Sequence, residues 1–246
     1  MKIQSIQSYY SQQKAVKQPS FQAFKRTVRK PGSEEVLWKN NTGLYRIDMS
    51  WSYLAEFLKE KYSDVEKVYV YNYASSNGLE AYTLLMELLA HNDENEVNKF
   101  MPIIAKDVDE FAIKMAKRKL IDISDCEKQK INKHTNNHFD DYFEEDKTKK
   151  GKYRPKDKLT EKVIFSVGDF TKEYEELPKD NVIILARNCW PYFPNEEKQE
   201  LPQKLYDYLG KNVTLITGNF DSLQLGFKKF KNSGFKLTHI PYVYVK

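Results

Sequence analysis

Glycine is scarce where a nucleotide-binding fold would use it. The 246 residues hold nine glycines, and residues 71–85 (YNYASSNGLEAYTLL) carry one, Gly78, between a strand-like run and a leucine-rich helix. A glycine-rich pyrophosphate turn is therefore missing, which disfavours a dinucleotide and favours a smaller adenosine ligand. Cysteine is scarce too. Cys126 and Cys189 are the only two, which excludes a disulfide framework or a cysteine metal cluster and fits a reducing cytoplasm. Long apolar runs are lacking: the longest purely aliphatic one, residues 182–185, is far too short to span a bilayer. With 30% charged residues and a mean hydropathy of −0.72, the expectation is a soluble, cytoplasmic protein without membrane insertion. Acidic residues are missing from positions 1–33, against Lys2, Lys14, Lys17, Lys25, Arg26, Arg29 and Lys30. No apolar segment there suits secretory export. Residues 1–39 are accordingly expected to form a basic, partly disordered or helical arm, read first as solvated and otherwise as a docking surface for an acidic partner, protein or nucleic acid.

What is present is an alternation. Residues 50–62 show helical apolar spacing at Trp51, Leu54, Phe57 and Leu58. Strands are expected at 67–73, 100–105, 163–167, 182–186 and 213–217, and helices at 79–90 and 110–120 and between the last two strands. Such alternation predicts an α/β fold, a doubly wound and mostly parallel sheet with helices on both faces. The end of the chain breaks the pattern: past Asn232-Ser233-Gly234 two β-rich runs suggest a reversed C-terminal hairpin. Residues 121–162 are polar and heavily charged, and read as a charged insertion or small subdomain.

In an open α/β sheet, ligands bind beyond the carboxyl ends of the strands. The 74–78 turn falls there. Ser76 or Asn77 is expected to cap the following helix, leaving its positive end toward the turn. Gly78 would permit close backbone approach, and Glu80 would reach back from the first helical turn. Asp107, ending the next strand, can accept hydrogen bonds from both hydroxyls of a ribose. His134 and His138 have the i, i+4 spacing of a metal pair, but no third ligand accompanies them, so no metal site is expected. Cys189 suits a buried apolar position better than a nucleophile's. The charge run 147–158 reads as a solvated face, with Tyr153 and Arg154 interleaved in it.

Five short segments, in order, resemble one family. Residues 73–83 (YASSNGLEAYT) are similar to A-G-C-S-T-G-E-E-P-Y-S, and Ala105-Lys106-Asp107-Val108-Asp109 to A-T-D-I-D. Residues 187–193 (RNCWPYF) are similar to R-N-V-x-I-Y-F, and 40–46 (NNTGLYR) to N-x-T-x-F-F-R. The stretch YFEEDKTKKGKYRPKDKLTEKVIFSVGDF resembles a charged hairpin leading into V-x-F-x-x-x-N-L. These are motifs of the chemotaxis-receptor, or CheR-type, S-adenosylmethionine-dependent methyltransferases, which methylate glutamate side chains of proteins. The resemblance runs from residue 40 to the C-terminus. It implies a class I methyltransferase (Rossmann-like) domain over 40–246. It also implies a cofactor, S-adenosylmethionine (S-adenosylhomocysteine after transfer), surrounded by Asn40, Thr42, Arg46, Ala74, Gly78, Glu80, Asp107, Asp169, Phe170, Arg187 and Asn188. Arg46 and Tyr192 would face the methyl group and the acceptor as catalytic residues.

Such a site asks for little chemistry. A glutamate carboxylate, with an ordinary pKa of ~4.3, is ionised at neutral pH and needs no base; alignment and exclusion of water supply the rate. The sequence also departs from the family. G-H-S-E becomes Gly218-Asn219-Phe220-Asp221, Pro202 is expected to interrupt the helix before the next strand, and the helical domain ahead of the core shrinks to about 40 residues. Two other readings stand beside carboxylate methylation: an RNA methyltransferase, from the pI of about 8.8 and the acid-free arm, and a catalytically degenerate binding module, from the altered 218–221 stretch.

Overall fold

The computed structural model describes residues 24–34, 36–225 and 227–246. The chain enters through a hairpin, β1 (Phe24–Arg29) and β2 (Val36–Thr42), paired antiparallel from Phe24 opposite Thr42 to Arg29 opposite Val36. This corrects the expected arm over the part that is described; residues 1–23 lie outside the described residues. FKRTVR and VLWKNNT carry β-branched and aromatic residues on either side of the Pro31-Gly32 turn, and that local preference prevails over the basic composition.

The amphipathic helix Trp51–Lys61 follows, then β3 (Tyr69–Tyr73), helix Leu79–His91, β4 (Ile103–Asp107) and helix Glu110–Lys117. The insertion builds a three-stranded antiparallel sheet in the order β5-β7-β6, from β5 (Ile121–Asp122), β6 (Phe143–Glu145) and β7 (Lys152–Pro155). Helix Asp125–His134 forms within it despite its polarity because Ser124 and Glu127 make a reciprocal capping box. The chain returns through β8 (Val163–Val167), β9 (Val182–Ala186), helix Asn195–Tyr208, β10 (Val213–Ile216), β11 (Lys236–Leu237) and β12 (Val243–Val245).

The central sheet has the order β11-β12-β10-β9-β3-β4-β8. The five strands from β10 to β8 run parallel, and β12 runs antiparallel between β10 and β11. This is the expected doubly wound, mostly parallel sheet with its reversed C-terminal end. All of β9 is buried, and its side chains alternate between two cores: Ile183 and Leu185 join the one beneath helix Leu79–His91, and Val182, Ile184 and Ala186 join the other. Helix Leu79–His91 is buried on all sides from Leu79 through Leu88, its polar residues Glu80, Thr83 and Glu87 included. Pro202 does not interrupt its helix, which runs unbroken from Asn195 to Tyr208. Buried Leu201, Pro202 and Leu205 anchor it to the second core, and that packing outweighs one missing ladder bond. No helix among the described residues is long and apolar enough to cross a membrane.

Candidate active site

The strand order reverses about β3, and the loops after β3, β4, β8 and β9 open together at their carboxyl ends. They enclose a cavity of about 380 Å³, within the usual range for a small-molecule site. Every site residue expected from the sequence lines it except Gly78. Gly78 takes a left-handed φ of 87°, and a Cβ there would lie 2.3 Å from the Phe165 ring. Its close approach is to the protein's own core. Gly78, not Ser76 or Asn77, is also the helix N-cap, and no side chain caps that end. Ser76 cannot serve: its own φ is 53° and its N–H is held by Asp107.

The floor is an ionic cluster around Arg187, whose side chain is fully buried. Its guanidinium meets Glu80 at 2.5 Å and Asp48 at 2.9 Å, and lies 5.0 Å over the Trp51 ring. Burial alone would lower the guanidinium's pKa, but the charges of Glu80 and Asp48 outweigh it and raise it. Burial likewise pushes the Asp48 carboxyl up, but Arg187 and Arg46 prevail and hold it low. Asn72 donates to Glu80, and Asn188 donates to Asp48 at 3.3 Å. Glu80 is thus committed to Arg187 and Asn72 before any ligand arrives. Arg46 reaches Asp48 at 3.6 Å and donates to the Asn41 carbonyl.

Asp107 ties two loops together, accepting from the Ser76 N–H at 2.7 Å and the Asp109 N–H at 2.8 Å. Burial raises its pKa against those two bonds. About half of a carboxylate's roughly four acceptor sites remain open. Asp109 caps helix Glu110–Lys117, accepts from Asn40, and pairs with Arg26 of the hairpin. That clamp sets β2 along the cavity, where Leu37, Trp38 and Lys39 add to its lining. Asp169 spends one oxygen capping its own short helix through Thr171. Phe170 stacks within an aromatic wall, 4.6 Å from Tyr73 and 6.3 Å from Phe193. Tyr192 lines the cavity next to Phe220, and burial followed by the charge of Asp221 raises its pKa, so it keeps its proton.

The altered 218–221 stretch keeps a supporting function. Asp221, fully buried, accepts from the backbone N–H groups of Asn188, Trp190 and Gly218. Gly218 lets the Asn188 side chain pass where a Cβ would stand 2.4 Å away. Asp48 was not named from the sequence, and Asp109 and Asp221 were named only as members of their motifs, with no role given. The one signal for Asp48 was its place two residues after Arg46. Cys189 is buried at the cavity wall, and burial raises its thiol's pKa. His134 and His138 do not converge: His134 pairs with Glu87 and His138 with Asp141. Among the described residues no group of three or more potential ligands is placed to hold a metal ion.

The lining suits a nucleoside. It offers an aromatic wall, a strand-end carboxylate with free acceptor capacity, and the Ser76 hydroxyl and Trp38 indole N–H, both without partners. The family model of the CheR methyltransferase S-adenosylmethionine-binding domain matches residues 40–238. Solved structures of low similarity include PKMT2 from Rickettsia typhi in complex with AdoHcy, 12% identical over 62% of this chain with a TM-score of 0.34; the present chain spans 21% of that protein. Precorrin-6y C5,15-methyltransferase from Geobacter metallireducens is 8% identical, covering 79% of this chain and 76% of its own, with a TM-score of 0.40. A TehB-like S-adenosylmethionine-dependent methyltransferase from Corynebacterium glutamicum is 9% identical, covering 80% and 94%, with a TM-score of 0.38. With the family model matched over most of its length, this chain belongs to the CheR methyltransferases and is an S-adenosylmethionine-dependent methyltransferase.

Proposed function

We propose that the methyl group goes to a carboxylate, a glutamate side chain of a protein, making the enzyme an O-methyltransferase. The observation that carries this reading is that one cavity is lined by both Arg46 and Tyr192, a guanidinium and a protonated phenol, with no histidine among its lining residues. Bound S-adenosylmethionine supplies an electrophilic methyl on sulfur. Asn40, Thr42, Arg46, Ala74, Glu80, Asp107, Asp169, Phe170, Arg187 and Asn188 would hold it, with Asp107 as the acceptor for the ribose hydroxyls. Arg46 pairs with the incoming carboxylate and Tyr192 donates its O–H to the second carboxylate oxygen. Held by those two contacts, the carboxylate would keep one oxygen free to accept the methyl group that the cofactor would supply. No proton moves, so no general base is required. Tyr73, Phe170 and Phe193 keep water out, which strengthens both contacts.

The test is incubation of a lysate from the source cells with methyl-labelled cofactor and the purified enzyme. Label on protein, released as methanol by mild base, is the expected result. Base-stable label on nucleic acid would favour the RNA reading instead, and tight cofactor binding without any turnover would mark a binding module. Arg46→Ala and Tyr192→Phe are each expected to lower the transfer rate, by about 10²-fold and about tenfold, as lost charged and neutral hydrogen bonds.

A further inference from the structure

Outside the cavity's lining lies a second polar cluster, centred on a buried glutamate, that the methyl-transfer chemistry does not use. Glu87, fully buried in helix Leu79–His91, meets His134 at 2.5 Å through one oxygen and His91 at 3.2 Å through the other. His134 is the last residue of the insertion's helix Asp125–His134. Its ring stacks on Tyr45, with centroids 4.3 Å apart and planes 27° apart, and its Nδ1 lies 3.3 Å from the Ser52 hydroxyl. Tyr45 is buried and holds a φ of 48°, which a bulky residue adopts only under constraint. Its N–H bonds Thr83, one helical turn before Glu87. The next residue is Arg46, whose carbonyl is fixed by the Trp51 indole.

We infer that Glu87, His134 and Tyr45 are positioning residues for Arg46. The Glu87–His134 pair seats the His134 ring, the ring holds Tyr45 in its left-handed conformation, and that conformation turns Arg46 into the cavity. The insertion is therefore wired to the active site by its own helix end. The inference rests on the cavity being the cofactor site, as proposed above, and its test separates the two.

Hydrogen–deuterium exchange of the ligand-free protein reads the relay directly. In His134→Ala, amides at 43–48 should exchange about tenfold faster or more, while those in the centre of helix Leu79–His91 stay protected. His134→Gln, which keeps a donor for Glu87, should recover most of the protection. Tyr45→Leu breaks the stack from the other side and should give the same signature if His134→Ala does not fold. S-adenosylhomocysteine titrations then form a cycle: His134→Ala should weaken binding several-fold, but not in an Arg46→Ala background. Unchanged exchange at 43–48, or a loss of affinity that persists without Arg46, would overturn the relay. A wild-type protein that binds no S-adenosylhomocysteine would fall on the cavity assignment, with the exchange result still deciding the relay.

Discussion

Ala74 stands at φ 53° in the first cavity loop, a conformation that costs a residue with a Cβ about 1–2 kcal/mol. Ala74→Gly should therefore raise stability by about 0.5–1 kcal/mol, read as a Tm gain of about 1–4 °C. Gly78→Ala should do the reverse, losing about 2–4 kcal/mol, because strain and the collision with Phe165 add. Asp221 gives a pH signature. Burial pushes its carboxyl up to about 7, against its three backbone donors. The folded chain then keeps a proton that the unfolded chain loses near ~3.9, so this contribution is full below that value and fades as pH rises through about 7. Asp221→Asn lacks the dependence, and the wild-type Tm advantage over it should shrink between about pH 5 and pH 8. At this scale the motif residues were legible because family spelling marks them. Asp109 and Asp221 stand inside two of those spellings, but their roles did not show: they accept hydrogen bonds from Asn40 and from the backbone at 188 and 190, partners distant in sequence.

Among the elements, the hairpin is the one the sequence misrepresented. Seven basic residues and no acid read as a solvated arm, yet Arg26 finds its counter-charge 83 residues away in Asp109 and lies over Phe111. Arg26→Ala should release the hairpin, with faster amide exchange across 24–42 and weaker S-adenosylhomocysteine binding. The Tm should move little, since a partly exposed ion pair is worth about 1 kcal/mol or less. Strand β9 was readable as the continuous apolar run that a buried parallel strand needs, and β3, β4, β8 and β10 by their β-branched and aromatic residues. The C-terminal hairpin of β11 and β12 was readable as well, whereas the two-residue strand β5 was not, being defined by pairing and not by pattern. Pro202 misled for a related reason. Its expected break assumes an isolated helix, whereas here the second core holds both halves in line.

For the whole molecule, fold and cofactor were legible together because loops at the carboxyl ends of parallel strands carry the motifs in chain order. The acceptor was not, since the surface that receives it has no fixed spelling. The most direct measurement is calorimetric titration of S-adenosylhomocysteine into wild-type protein and Asp107→Ala. One site per chain is expected, weakened by about tenfold or more in the variant as a buried acceptor is lost. No binding, or equal affinity in both proteins, would contradict the assignment of this cavity to the cofactor.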